Sequence, residues 1–369
     1  MKDIKRRLET PIKFAKHLVG MYKRPVFTQP VFPAKNDGQS KMLLIVCGPS
    51  FNQNLQNAET LMRVGFARGW AEACGPAKLV SINSLVWEID NYECPAVFIS
   101  PYEIDLLSYS DSKRLRQTDL FVWVSPHPRI HRIYERTILG AGEAMDGEIW
   151  LRSYGKIIMA EPKFVWNSIG QAGFEWYQGW VDDGFRWVTI YPGVDTDRYY
   201  PDPAPEQFGH IKMAYVGGYW PEKAQGFDVY LRPWEEIIVP YGYSKWPYKN
   251  YGGQLNTQEE RQLYSSAGLI PLVHGPYGWV NAEITERYLK VPACRGFGIA
   301  DHNPAFREIY SEDEVLQAKD SEHFHFLVNE FLSGKIDREN WRDKGYKATI
   351  ARHTYKHRAI QIRQVLDAA

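Results

Sequence analysis

The sequence has little of what marks a metal-held, disulfide-held or membrane-spanning chain. Its 369 residues include four cysteines, Cys47, Cys74, Cys94 and Cys294, and no two stand at CxxC spacing. That excludes a zinc cage and a disulfide framework, and it predicts buried thiols in a reducing compartment. No apolar stretch reaches the ~18 residues that a bilayer-crossing helix needs. The N-terminus has no uninterrupted apolar core, so no signal peptide is expected and the expected location is cytoplasmic. HExxH, Walker and GxGxxG patterns are absent, which argues against zinc proteases, P-loop NTPases and dinucleotide enzymes. Net charge is missing too: 44 Lys and Arg balance 44 Asp and Glu. A protein that coats nucleic acid with a broad basic face is therefore not expected.

What is present fits a soluble globular chain, with 44% hydrophobic and 24% charged residues, long enough for two domains. Aromatic residues make up 14%, more than a core alone needs, and Trp and Tyr suit half-wet binding surfaces. The neutral total hides an asymmetry. Residues 1–41 hold ten cations against three anions, a local charge of +7. Ile4, Leu8, Ile12, Ala15, Leu18 and Val19 recur near helical spacing among those cations. Residues 1–40 are expected to form a basic arm, and residues 1–24 to suit an anionic membrane surface as a peripheral contact. Pro25–Pro33 reads as an extended connector.

The body alternates short apolar runs with helical stretches. Met42–Cys47, Lys78–Ile82, Ala96–Ser100, Leu120–Ser125 and Ile157–Ala160 read as strands, with helices over Asn57–Ala73 and Ile130–Ala144. After Pro201–Pro205 the pattern restarts. Strands are expected at His210–Val216, Glu236–Val239, Leu269–Val273 and Gly298–Ala300. Helices are expected at Gln258–Ala267, Thr285–Ala293, Glu322–Leu332 and Arg338–Thr349. Such alternation predicts two doubly wound α/β domains, 41–190 and 191–352, whose strand ends face each other across a cleft.

Four segments carry more specific information: Tyr191-Pro192-Gly193-Val194-Asp195 running on to Tyr200-Pro201; Ala214-Tyr215-Val216-Gly217-Gly218-Tyr219 with Lys223 and Gly226 behind it; Pro292-Ala293-Cys294-Arg295-Gly296-Phe297 continuing through Asp301 to Glu308; and His353-Thr354-Tyr355-Lys356-His357-Arg358. In this order they resemble the GT-B glycosyltransferases, in particular the CgeB-like and "glycosyl transferases group 1" branch. The resemblance covers about 190–365 well, while residues 41–190 match in pattern alone.

The resemblance implies a GT-B fold of two facing Rossmann-like domains, with the last helix in 353–369 crossing back to the first domain. It implies sugar transfer from a nucleoside-diphosphate donor, a UDP- or GDP-sugar, to a glycan or lipid-linked acceptor, with no metal or other cofactor. Departing diphosphate charge needs amide donors and a cation, which Gly217, Gly218 and Lys223 would supply, with Tyr219 beside them in the donor site. The donor site would also include His274, Asn281, Glu286, Arg287, Asp301 and Glu308. Relatives carry two carboxylates where this chain has Ala282 and Lys290, with Glu283 and Glu286 nearby as substitutes.

His127, in the Ser-Pro-His-Pro loop after an N-domain strand, is expected to open on the cleft beside Lys223 as a catalytic group. Ser50 and Asn52, after the first strand, and Trp176 and Trp180, in a Gly-rich stretch, are the acceptor-side candidates. Tyr243, Trp246 and Tyr248 are expected to border the donor. Asp195-Thr196-Asp197 spells a DxD triplet but falls in the interdomain turn, so it reads as structural. Two other readings stay open: a phage-type enzyme acting on modified DNA bases, and a non-catalytic scaffold that binds nucleotide sugar or glycan.

Overall fold

A computed structural model of the chain describes residues 29–35, 41–49, 51, 58–130, 133, 147–219 and 221–368. Residues 1–28, Ser50, Asn52 and most of the expected Ile130–Ala144 helix lie outside the described residues.

The N-terminal sheet is built from β1 (Val31–Phe32), β2 (Leu43–Cys47), β3 (Ala77–Ser81), β4 (Ala96–Ile99), β5 (Asp119–Trp123), β6 (Phe164–Asn167) and β7 (Trp187–Thr189), in the order β1-β3-β2-β4-β5-β6-β7. Only β1 runs antiparallel; the other pairs are parallel, with Leu43 opposite both Ala77 and Ala96. The apolar runs are continuous because both faces are covered. Leu43, Ile45 and Cys47 face α1 (Ala58–Ala73), while Leu44 and Val46 face the side of α2 (Gly147–Ala160).

The expected strand at Ile157–Ala160 is the last turn of α2, and the strand lies further on at Phe164–Asn167. Its four residues form a short apolar run that fits either period. Ile157 and Ala160 are buried while Ile158 is exposed, a helical arrangement, and Pro162 follows the helix end.

The C-terminal domain holds β8 (Met213–Val216), α3 (Pro221–Tyr230), β9 (Ile238–Tyr241), α4 (Thr257–Ser266), β10 (Ile270–Leu272), α5 (Pro276–Asn281), α6 (Arg287–Ala293), β11 (Gly298–Ala300), β12 (Leu316–Gln317), α7 (Ser321–Leu332) and α8 (Arg338–Arg352). A parallel β8–β9 pair and a parallel β10-β11-β12 sheet are joined by a bridge from Met213 to Leu269. The strand order is thus β9-β8-β10-β11-β12, with α4 and α6 packed on one face and α3 and α7 on the other. Asn256 starts α4 with a capping box, exchanging hydrogen bonds with Glu259.

The last helix, α9 (Tyr355–Asp367), leaves the C-terminal domain and packs on α1, where Gly65 and Gly69 make room for Tyr355. A Cβ on Gly65 would stand 2.1 Å from the Tyr355 ring. The two sheets meet through the segments that follow β6 and α5. Gly170 N–H donates to Ala282 O (2.8 Å), and Ile284 N–H donates to Ser168 O (3.0 Å).

Candidate active site

Where β8 ends, Gly217 N–H donates to Tyr241 O (2.9 Å) and Gly217 O accepts from the Trp246 indole (2.8 Å). Tyr219 N–H donates to Ser244 Oγ (2.7 Å). Gly217 and Tyr219 thus spend their amides on the β9 loop, and Gly218 keeps the amide with no partner among the described residues. That corrects the expectation that both glycine amides face an anion. A Cβ would stand 2.6 Å from Arg287 Nη2 at Gly217, so a side chain there would displace the guanidinium, and 2.9 Å from the Tyr243 hydroxyl at Gly218.

Arg287, the first residue of α6, places its guanidinium across the ends of two strands. Nε donates to Val216 O (3.2 Å), Nη1 donates to Val273 O (2.8 Å), and the group lies 4.5 Å over the Tyr215 ring. Nη2 makes no hydrogen bond among the described residues and stands beside Gly217. The result is a cation fixed in a known plane at the mouth of the sheet, the arrangement that suits an oxyanion. Lys223 occupies the first turn of α3, and its side chain lies outside the described part of the structure.

Asp301, at the end of β11, is fully buried and already saturated. Oδ2 accepts from His274 N–H (2.8 Å) and Trp279 Nε1 (2.9 Å), and Oδ1 accepts from the Tyr288 hydroxyl (2.7 Å). It therefore shapes the loop after β10 rather than touching a donor, which corrects its expected role. Gly275, beside it, has φ +86° and open space where a side chain would be. His274 Nε2 lies 3.3 Å from Glu283 Oε2, and Asn303 Nδ2 holds Glu283 O at 2.8 Å. Asn281 is 3% exposed, meets the Tyr177 hydroxyl, and has an Oδ1 with no partner among the described residues. His274, Asn281 and Glu283 thus gather where the two domains touch.

Glu286 and Glu308, expected at the donor, face elsewhere. Glu286 accepts from the Tyr355 hydroxyl and lies 3.6 Å from Lys290 Nζ, which also approaches Glu260 at 3.9 Å. Burial pushes the Glu286 carboxyl above its ordinary range, opposed by Lys290 and the Tyr355 hydroxyl. Glu308 bridges the domains, accepting from Gln171 N–H (2.9 Å) and the Tyr191 hydroxyl (2.5 Å). Asp195 is a linker strut, 2.7 Å from Arg68 and 3.5 Å from Arg198.

On the N-terminal side, His127 does not open on the cleft. It is 1% exposed, and both ring nitrogens are occupied: Nε2 lies 3.0 Å from Asp183 Oδ2, and Nδ1 accepts from Arg129 N–H (3.3 Å). Burial lowers its pKa, partly offset by Asp183. A ring with no free nitrogen does not serve as a base, so the catalytic expectation for His127 is corrected. Trp180 is likewise core, 2% exposed with its indole donating to Ser125 O (3.0 Å), because the Gly-rich stretch folds into a short helix rather than an open loop. Trp176 is half-buried, and its carbonyl accepts from His127 N–H (2.9 Å). Trp246 and Tyr248 are core as well, whereas Tyr243 is 58% exposed beside Gly218.

The residues that sequence reasoning missed here are Trp279, Tyr288 and Asn303. They hold the site's backbone, and their signal was no more than the density of aromatic and Asn residues around the motifs.

Two facing parallel sheets with a cation at the strand ends define the class: a GT-B fold. Residues 205–364 match the family model described as "Glycosyl transferase-like". Sucrose-phosphate synthase from Thermosynechococcus elongatus superposes with TM-score 0.56 at 13% identity, covering 89% of this chain and 100% of that one. HepE of Anabaena in complex with UDP superposes with TM-score 0.59 at 11% identity, covering 89% and 100%. A glycosyltransferase from Rickettsia africae gives TM-score 0.57 at 11% identity, covering 89% and 98%. No curated protein matches the sequence. Residues 205–364 are thus glycosyl transferase-like, on a chain whose fold is that of GT-B glycosyltransferase structures.

Proposed function

We propose that the protein transfers a sugar from a nucleoside diphosphate, a UDP- or GDP-sugar, to a glycan or lipid-linked acceptor without a metal ion. The observation that carries this reading is Arg287. Its guanidinium is tied to Val216 and Val273 and presents Nη2 beside Gly217, at the ends of β8 and β10. A fixed cation, the Gly218 amide and the start of α3 together stabilise the charge that grows on a departing diphosphate. HepE, of the same fold, binds UDP and glucose, which supports a uridine nucleotide here.

Glu283, held by His274 and Asn303 at the domain junction, is suited to accept hydrogen bonds from hydroxyls of the transferred sugar. Contact between the domains excludes water and protects the donor from hydrolysis. The +7 arm supports a peripheral contact of residues 1–24 with anionic lipid at the cytoplasmic face. Among the described residues no helix is long and apolar enough to cross a membrane.

One observation favours a second reading, a non-catalytic binding scaffold. Lys290 stands where relatives have a carboxylate, and it is turned into the Glu286–Glu260 cluster. A thermal-shift panel of UDP, GDP, TDP and CMP, followed by sugar-nucleotide hydrolysis assays, separates the two. Stabilisation by one nucleotide with turnover of its sugar supports the transferase, stabilisation without turnover supports a nucleotide-sugar scaffold, and no stabilisation removes the transferase and leaves a glycan-binding scaffold.

A further inference from the structure

Tyr355 touches three parts of the molecule at once. Its ring sits against Gly65 on α1, with Phe66 edge-on at 5.0 Å between centroids, so it is seated on the N-terminal domain. Its backbone N–H donates to Val194 O in the linker (3.2 Å), and Val194 N–H returns to His353 O (2.8 Å). Its hydroxyl donates to Glu286, the residue that opens α6. Glu286 O in turn accepts the first helical bonds of α6, from Leu289 N–H (3.0 Å) and Lys290 N–H (2.8 Å).

The next residue is Arg287. Its side chain leaves the same turn in the other direction, toward Val216, Val273 and the Tyr215 ring. Glu286 and Arg287 are therefore adjacent points on one rigid turn, one bonded to the crossed-over tail and the other presented to the site.

We propose that Tyr355 is a positioning residue for donor binding: its hydroxyl, through Glu286, holds the α6 turn so that Arg287 Nη2 meets a nucleoside diphosphate while α9 is docked on α1. This rests on the donor reading above and deepens it, because it makes the crossed-over tail part of the diphosphate grip. The coupling is mechanical. With the hydroxyl gone, Glu286 keeps Lys290, but α6 loses its bond to the tail.

The test is a double-mutant cycle on binding of UDP and GDP by isothermal titration calorimetry, using the full chain with Tyr355→Phe, Arg287→Ala and both together, each with a melting curve. Tyr355→Phe keeps the ring that fills the space against Gly65. It is expected to weaken binding roughly 3–10-fold, the range of one lost hydrogen bond, and to have no further effect once Arg287 is Ala. A bond that only stabilises the fold would lower the melting temperature and leave the dissociation constant of Tyr355→Phe at the wild-type value, which overturns the proposal. Equal weakening in both backgrounds overturns it as well, since the effect would not pass through Arg287. Absence of binding by the wild type is a different failure: it overturns the donor reading itself, and this proposal with it.

Discussion

Asp301 Oδ2 and the Trp279 indole nitrogen stand 2.9 Å apart, although β11 and α5 bring them from opposite sides of the loop after β10. The same oxygen holds His274 N–H, so one buried carboxylate fixes both ends of the turn at Gly275.

Asp301→Ala takes the acceptor from the His274 amide, the Trp279 indole and the Tyr288 hydroxyl in a buried place. The expected loss of stability is about 3–5 kcal/mol, because buried donors lose a charged acceptor. Denaturant unfolding measures it, and a loss under ~1 kcal/mol would mean that the turn is held by other contacts.

Arg287→Ala removes the cation at the strand ends. Nucleoside-diphosphate affinity is expected to fall roughly 10–100-fold, the range of a charge-assisted hydrogen bond. Arg287→Lys restores charge but not the two-carbonyl brace, so its recovery is expected to be partial. Full affinity in the alanine variant would take Arg287 out of the site.

Gly65→Ala puts a methyl group where Tyr355 carbons now lie, 2.1 Å away. Tail and α1 must separate, at a cost of roughly 1–3 kcal/mol, and hydrogen exchange of α9 should quicken before that of the two sheets. Unchanged protection of α9 would contradict the packing.

His353 is buried, its Nδ1 accepts from Arg358 Nη2 (2.9 Å), and its Nε2 lies 2.7 Å from Ile309 O. Burial first, then the neighbouring Arg358 charge, lowers its pKa to about 4. The unfolded chain takes up a proton near ~6.5 while the folded chain does not. Stability is therefore full above pH ~6.5 and falls as pH drops toward the folded value, by about 3 kcal/mol in all. His127 and His357, also lowered by burial, act in the same direction. His353→Asn should flatten the wild-type curve over that window, and parallel curves for the two proteins would refute the assignment.

Most strands were legible because each is a short apolar run buried on both faces, and the turn residues Gly48-Pro49 and Gly217-Gly218 end two of them. Ile157–Ala160 misled because four apolar residues fit either period. In the site, the Arg287 position was readable from the motif, but its neighbour Gly217 is far off in the chain. Nothing local says that α6 lays its first side chain over β8. Asp301 and Glu308 matched a donor motif by order along the chain, yet a carboxylate's role depends on which donors surround it. Asp301 found three inside its own domain, and Glu308 found Tyr191 and the Gln171 amide across the junction.

Sequence alone determined the alternation of strand and helix, the restart after Pro201–Pro205 and the glycines that end β8, since these follow from burial periodicity and backbone freedom along a few residues. Tertiary structure decided which polar groups remain available. His127 is closed off by Asp183 and Arg129, Glu286 is claimed by Tyr355, and Arg287 alone of the three keeps a nitrogen toward the strand ends. Pairing of polar groups is settled by contacts between residues distant in the chain, and those exist only once the two sheets, the linker and the returning tail have packed together.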